Sequence, residues 1–197
     1  MNSWLADLKK SFLAVAVLAV ILCGLYPLTA WFLAHSFFPG RADGSLIVRD
    51  GVVVGSSLIG QPFSSPAYFH PRPSVAGRGY DGGRSGGTNL GPLSKDLAEA
   101  VRGRIAEYRI ENGLDASTPI PADAVTASAS GLDPHISPEN ARLQAPRVAR
   151  VRGLAESAVR DRIEACTEGR TLGILGEPRV NVVRLNLALD GVRDAGR

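Results

Sequence analysis

An α+β domain anchored by one N-terminal transmembrane helix is the fold class this sequence predicts, and three observations predict it. Between Ser11 and Gly40 no Asp, Glu, Lys or Arg occurs. Downstream, three segments repeat apolar residues at spacings of three and four, the period of a helix packed on one face. Two further stretches, one directly after the apolar run and one near the C-terminus, are patterned as strands. A hairpin, then helices, then a late strand make an α+β arrangement rather than alternating βαβ units.

The apolar run sets the organisation: residues 1–10 form a cytoplasmic stub, 11–36 the single transmembrane helix, and 37–197 a periplasmic α+β domain. From Phe12 to Ala34 there are twelve Leu, Ile, Val and Phe residues. At their usual insertion energies they favour the bilayer by about 4 to 7 kcal/mol before polar and proline terms. The run exceeds the roughly 7 to 15 apolar residues of a signal peptide, so it stays as an anchor. Lys9 and Lys10 precede it directly, whereas Arg41 beyond it is offset by Asp43, which orients the N-terminus to the cytoplasm. Trp31 and Phe32 suit an aromatic belt at the outer interface, with Trp4 a weaker inner counterpart and His35 interfacial. Within the span, Gly24, Tyr26 and Pro27 predict a kink, since proline lacks a backbone donor and glycine permits close approach of another transmembrane helix.

Charge and cysteines exclude several classes. Net charge is +3, and beyond Lys9 and Lys10 the chain carries 20 basic against 18 acidic residues, scattered rather than striped and without interleaved aromatics. Nothing here suits a nucleic acid. Cys23 lies mid-span and Cys166 far down the domain, so no disulfide framework exists, and Cys166 is expected buried and inert.

The remaining elements follow in order. Leu46–Val48 and Val52–Val54 flank Asp50-Gly51, a tight hairpin turn. From Gly55 to Pro92, Gly, Ser and Pro dominate, yet Phe63, Tyr68, Phe69 and Tyr80 argue for an ordered loop region. Ser94 caps a helix carrying Leu97, Val101, Ile105 and Tyr108, which Gly113 ends. A second helix starts at Ser137 with Pro138 and Glu139 in its first turn, and Pro146 is expected to kink or restart it. A third places Leu154, Ala158, Val159 and Ile163 on one side and closes at Gly169. Val180, Val182, Leu185, Leu187 and Leu189 alternate with Asn181, Arg184, Asn186 and Ala188, apart from a slip at Val183, and read as a strand with a bulge.

Three groups of residues are candidates for chemistry. Ser85, Gly86, Gly87, Thr88 and Asn89 form a Gly-rich turn that could approach a phosphate, although the spacing and lysine of a P-loop are missing. Thr126, Ser128, Ser130, Asp133 and His135 gather hydroxyls, a carboxylate and an imidazole within ten residues, without a Gly-x-Ser-x-Gly elbow. Asp133-Pro134 reads more simply as a turn, with the hydroxyls bonding local backbone. Asp123, Asp133, His135 and Glu139 could be metal ligands, but their spacing matches no established site, and no metal is expected.

Five blocks carry a resemblance: GSSLIGQPF at 55–63, YFHPRPS at 68–74, SGGTNLGP at 85–92, PADAVTASASGLDPHISP at 121–138 and GEPRVNVVRLNLAL at 176–189. With the Gly-x-Tyr-Pro break in the span, the chain resembles the C subunits of the Kdp high-affinity potassium-transporting ATPases, almost end to end; Thr88 stands where that family usually has Ser. The resemblance implies a bacterial inner-membrane complex with a potassium-channel-like subunit, a P-type ATPase subunit and a small accessory membrane peptide. It implies no transport or hydrolysis chemistry in this chain, no stably bound cofactor, and a role in assembly and as a catalytic chaperone raising the ATP affinity of the ATP-hydrolysing subunit. It also offers Ser85, Gly86, Gly87 and Asn89 as a nucleotide contact, since that turn is similar to the ABC-transporter signature. A periplasmic domain meets almost no ATP, so the ATP effect is expected to be indirect, with the domain capping the outer mouth of the channel-like subunit. The alternative from the residues alone is a membrane-tethered periplasmic hydrolase or metal-binding protein using Ser130, Asp133 and His135.

Overall fold

A computed structural model describes residues 3–191 and divides into a unit up to residue 46 and a unit from residue 47. In the first, α1 (Ser3–Ala19) continues through a π-helical segment (Val20–Leu25) into α2 (Tyr26–Phe37), with a short α3 (Pro39–Ala42) after it. Trp4–Phe37 is long and apolar enough to cross a membrane, and none of its apolar window is buried within the protein. The irregularity expected at Gly24–Pro27 takes the form of the π segment, whose wider turn precedes the residue lacking an amide hydrogen. His35 lies in the last turn of α2, with Nδ1 3.0 Å from Trp31 O and Nε2 3.2 Å from Asp43 Oδ1.

The predicted hairpin, β1 (Leu46–Arg49) and β2 (Val52–Ser56), begins at the boundary and is turned by Asp50 (φ 51°) and Gly51 (φ 78°) in the second unit. The helices α4 (Lys95–Asn112), α5 (Ala122–Val125), α6 (Pro138–Arg152) and α7 (Glu156–Ala165) follow. Ser94 caps α4 by accepting from Leu97 N, and Gly113 ends it at φ 62°. A three-stranded antiparallel sheet runs β3-β5-β4, with β3 His135–Ile136, β4 Thr167–Glu168 and β5 Arg179–Asn181. The last element is α8 (Val182–Leu189).

Four expectations are corrected. The C-terminal strand spans only Arg179–Asn181, because the Asn181 side chain accepts from Arg184 N at 3.1 Å and caps a helix. Val182, Val183, Leu185 and Asn186 are then buried on one face, so the slip at Val183 marks helical spacing rather than a bulge. Pro146 does not restart α6, which runs unbroken from Pro138 to Arg152, since the bond it deletes would reach back to Arg142, an exposed residue whose carbonyl can turn to water. The third helix stops at Ala165, before Gly169, because Thr167 and Glu168 pair with Val180 and Arg179; Leu154 lies outside it and Ala158 is exposed. Cys166 is half-buried against the core rather than fully buried.

The core gathers on α6. Ala141, Ala145, Val148 and Ala149 meet Phe69 of the long loop, Ile136 of β3, Val159 and Ile163 of α7, Val180 of β5, and Val182 and Leu185 of α8. Each fully buried Val, Leu, Ile or Phe stabilises by about 1.5 to 3 kcal/mol. A second cluster joins Tyr108 of α4 to Ala124 and Val125 of α5, with Val101, Ile105 and Leu143 against it. Phe69 is wholly buried and Phe63 lies against the same core, so the aromatics in the Gly- and Pro-rich stretch tie it down as expected.

Candidate functional site

The Gly-rich turn is held against the segment that follows α5. Gly86 N and Ser85 Oγ both donate to Ser130 O, at 2.9 and 3.1 Å. A Cβ on Gly87 would lie 3.0 Å from Ala129 O, so this glycine permits two backbones to approach. Ser74 Oγ donates to Gly131 O at 2.6 Å and accepts from Tyr80 N, and the Tyr80 hydroxyl donates to Arg72 O. One of the amides a phosphate cradle would use is thus engaged within the chain. Thr88 and Asn89 are exposed, Asn89 in the left-handed region at φ 53°.

Beneath the turn, Arg72 lines two shallow grooves. It donates to Asp133 Oδ2 at 3.2 Å and to the carbonyls of Thr126 and Ala127 at 3.4 Å. Asp133 Oδ1 accepts from His135 N at 3.0 Å and sits 3.1 Å from His135 Nδ1. Burial raises the Asp133 pKa, but the His135 hydrogen bonds and the charges of His135 and Arg72 outweigh it and hold the carboxyl below its usual range. Two members of the imagined hydrolytic triad therefore meet. The third does not: Ser130 Oγ accepts from Leu132 N at 3.1 Å and lies 3.4 Å from Ser128 Oγ, bonded to neither Asp133 nor His135. Thr126 Oγ1 donates to Ala122 O, so these hydroxyls bond local backbone.

The proposed ligand set is likewise divided. Asp123 accepts from Ser137 N, Ser137 Oγ and Asn140 Nδ2, fixing the start of α6, while Glu139 lies exposed beside Arg142. Among the described residues no three His, Cys, Asp or Glu side chains converge as metal ligands.

The most highly connected polar site was missed by sequence reasoning. Asn140, Gln144 and Arg147 lie on the same buried face of α6 as Ala141, Ala145 and Val148. Gln144 accepts from His70 N (2.7 Å) and donates to His70 O (3.0 Å), while Asn186 of α8 accepts from Phe69 N (2.8 Å) and donates to Phe69 O (3.0 Å). Two side-chain amides thus replace a neighbouring strand for this loop. Arg147 donates to Pro66 O, Tyr68 O, Asn112 Oδ1 and Gln144 Oε1 at 2.6 to 3.0 Å. Arg152 holds Ala67 O at 2.6 Å and Asp190 at 2.9 Å, with its guanidinium over the Tyr68 ring. The available signal was Asn, Gln and Arg at helical spacing beside the buried alanines.

Glu111 closes this network, its carboxylate 2.7 Å from His70 Nδ1 and 3.9 Å from Arg147. The His70 hydrogen bond, with the charges of His70 and Arg147, holds the Glu111 carboxyl below its usual range against the opposing effect of burial. A carboxylate depressed by folding stabilises above its unfolded pKa, about 4.3, and loses that contribution as pH falls through the folded value. Urea midpoints from pH 7 to pH 3 should therefore fall less for Glu111→Gln than for the parent in the acid window. Parallel curves would show that the pair contributes nothing.

These sites lie in a chain whose relatives are clear. A family model described as KdpC, K+-transporting ATPase c chain, matches residues 8–191. The potassium-transporting ATPase KdpC subunit of Myxococcus xanthus is 58% identical over 181 residues, covering 90% of this chain and 85% of its own length. That of Nitratidesulfovibrio vulgaris is 51% identical over 185 residues, covering 93% of each, and that of Mycobacterium bovis 53% over 184, covering 93% and 97%. The match runs through both the apolar helix and the domain carrying the loop network, and on it the chain belongs to the KdpC family, the c chain of K+-transporting ATPases.

Proposed function

We propose that this chain is the non-catalytic accessory subunit of an ATP-driven, high-affinity potassium uptake complex in a bacterial inner membrane. The observation that carries the proposal is the family match from residue 8 to residue 191, which takes in anchor and domain as one unit. The relatives' names place them in a potassium-transporting ATPase. The partners are then a channel-like subunit, a P-type ATPase subunit, a small membrane peptide and the bilayer. The N-terminus faces the cytoplasm and the domain the periplasm, because Lys9 and Lys10 precede the span.

In this reading the chain assists assembly and raises ATP affinity in the ATP-hydrolysing subunit as a catalytic chaperone, without holding ATP. The engagement of Gly86 N by Ser130 O supports an indirect effect over nucleotide contact at Ser85, Gly86, Gly87 and Asn89. Coupling then passes through the span and partner subunits, with the domain above the channel-like subunit's outer mouth.

Two experiments test this. In a Cys-free background, a cysteine at exposed Ser85 should react with a membrane-impermeant thiol reagent added outside intact spheroplasts. Reaction only after lysis would reverse the orientation and restore direct nucleotide contact. Tyr26→Ala with Pro27→Ala should weaken copurification of the large membrane partners, because the π segment and Gly24 shape a surface for another helix. Undiminished copurification would remove the span from assembly. The tethered hydrolase predicts turnover by the isolated chain that Ser130→Ala or His135→Ala abolishes; an inert chain is expected.

A further inference from the structure

One of the two grooves that Arg72 lines, about 650 Å³ in volume, carries both exposed apolar side chains and a run of backbone donors. The apolar part is Leu58 and Ile59, 60% and 41% exposed. Their backbone is fixed: Leu58 N donates to Ser56 Oγ at 3.1 Å, Gly60 N to Leu132 O at 2.8 Å, and Asn181 Nδ2 to Ser57 O at 2.7 Å. The groove is therefore preformed within the domain.

Residues 127–130, which also line it, are one-sided in their hydrogen bonding. The carbonyls of Thr126 and Ala127 accept from Arg72 at 3.4 Å, that of Ser128 from Gly131 N at 3.3 Å, and that of Ser130 from Gly86 N at 2.9 Å. Among the described residues, none accepts from the amides of Ala127, Ser128, Ala129 or Ser130. The segment offers donors while most of its acceptors are committed. The charged residues of the groove, Arg72 and Asp133, pair with each other at 3.2 Å. A phosphate or carboxylate would find no free counter-charge here. An added strand, which both gives and takes hydrogen bonds, would meet carbonyls already engaged.

We propose that this groove receives the last turn of a helix from a partner subunit of the ATPase. A helix end leaves up to four carbonyls without donors, and these are neutral acceptors set close together. The same turn can lay an apolar side chain on Leu58 and Ile59. A second copy of this chain fits less well, because its α4 and α6 end on Gly113 and Gly153, whose amides already return to last-turn carbonyls. The proposal rests on the accessory-subunit reading above.

Amide exchange compared between the isolated full chain and the assembled complex, both in nanodiscs, tests it. Residues 127–130 should exchange at least about tenfold more slowly in the complex, as amides do once an acceptor covers them. Leu58→Glu with Ile59→Glu should abolish that slowing, while the isolated variant, altered only at exposed positions, melts within about 2 °C of the parent. Benzoylphenylalanine in place of Leu58 should crosslink, on illumination of the complex, to the last turn of a helix in another subunit. Unchanged exchange at 127–130 in an intact complex overturns the proposal, as does a crosslink to lipid, to a strand or to a second copy. Slowing in the isolated chain on addition of inorganic phosphate overturns it in favour of an anion site. If no other subunit copurifies with the parent chain, the accessory-subunit reading falls, and the proposal with it.

Discussion

Replacing Arg147 by alanine is expected to lower the stability of the domain by about 3–5 kcal/mol, the usual cost of removing one partner from a buried charged network. The side chain is 2% exposed, and its guanidinium serves two loop carbonyls and two side-chain oxygens. Without it the carbonyls of Pro66 and Tyr68 lose their donor, each at about 1–3 kcal/mol unless water enters. For a domain of this size the melting temperature should drop by on the order of 10 °C. Arg147→Lys should fall between, because an ammonium keeps the charge but cannot reproduce the planar fork. Thermal melts of the detergent-solubilised full chain decide it. A shift within about 2 °C would show that the loop is held by other contacts.

Gly131→Ala should cost about 2–5 kcal/mol. Its φ of 67° lies in the left-handed region, which costs a residue with a Cβ about 1–2 kcal/mol. An added methyl would also stand 2.8 Å from both Ala76 N and Gly86 O and 2.9 Å from Ala76 Cβ, and two of these are backbone atoms that cannot swing aside. Overpacking of this kind adds about 1–3 kcal/mol. The strain falls where the Ser85–Asn89 turn meets the Ser128–Asp133 segment. Gly82→Ala serves as the control, since nothing lies within 4 Å of its added methyl. Equal urea midpoints for the two variants would mean that the close approach at Gly131 relaxes without cost.

How much was legible depended on whether the signal was local. The long apolar helix, the Asp50-Gly51 hairpin and the helix capped by Ser94 and ended by Gly113 were read correctly because composition, turn chemistry and capping act within a few residues. Val180–Leu189 misled because three strand residues and eight helical ones adjoin, and Asn181 serves as both strand end and cap. The candidate site was harder. Asp133 with His135 is a two-residue contact, visible as a motif, whereas the grip of Gln144 on His70 spans 74 positions and that of Asn186 on Phe69 spans 117. Neither period nor propensity encodes such pairings; they arise once α6 and α8 pack around Phe69.

Those separations also order the events of folding. The middle strand of the sheet, Arg179–Asn181, is the last of its three strands to be synthesised, and the loop at 69 acquires its Asn186 partner only after 117 further residues have been added. Loop-closure entropy must be met before such distant contacts return anything, so the topology is slow by construction. An emerging chain can form α4 from its own residues, but Phe69 stays without its full surroundings until α8 has been made. The domain is therefore a late folder by design of its chain order, and truncation within α8 should leave the first half of the domain open rather than merely shortened.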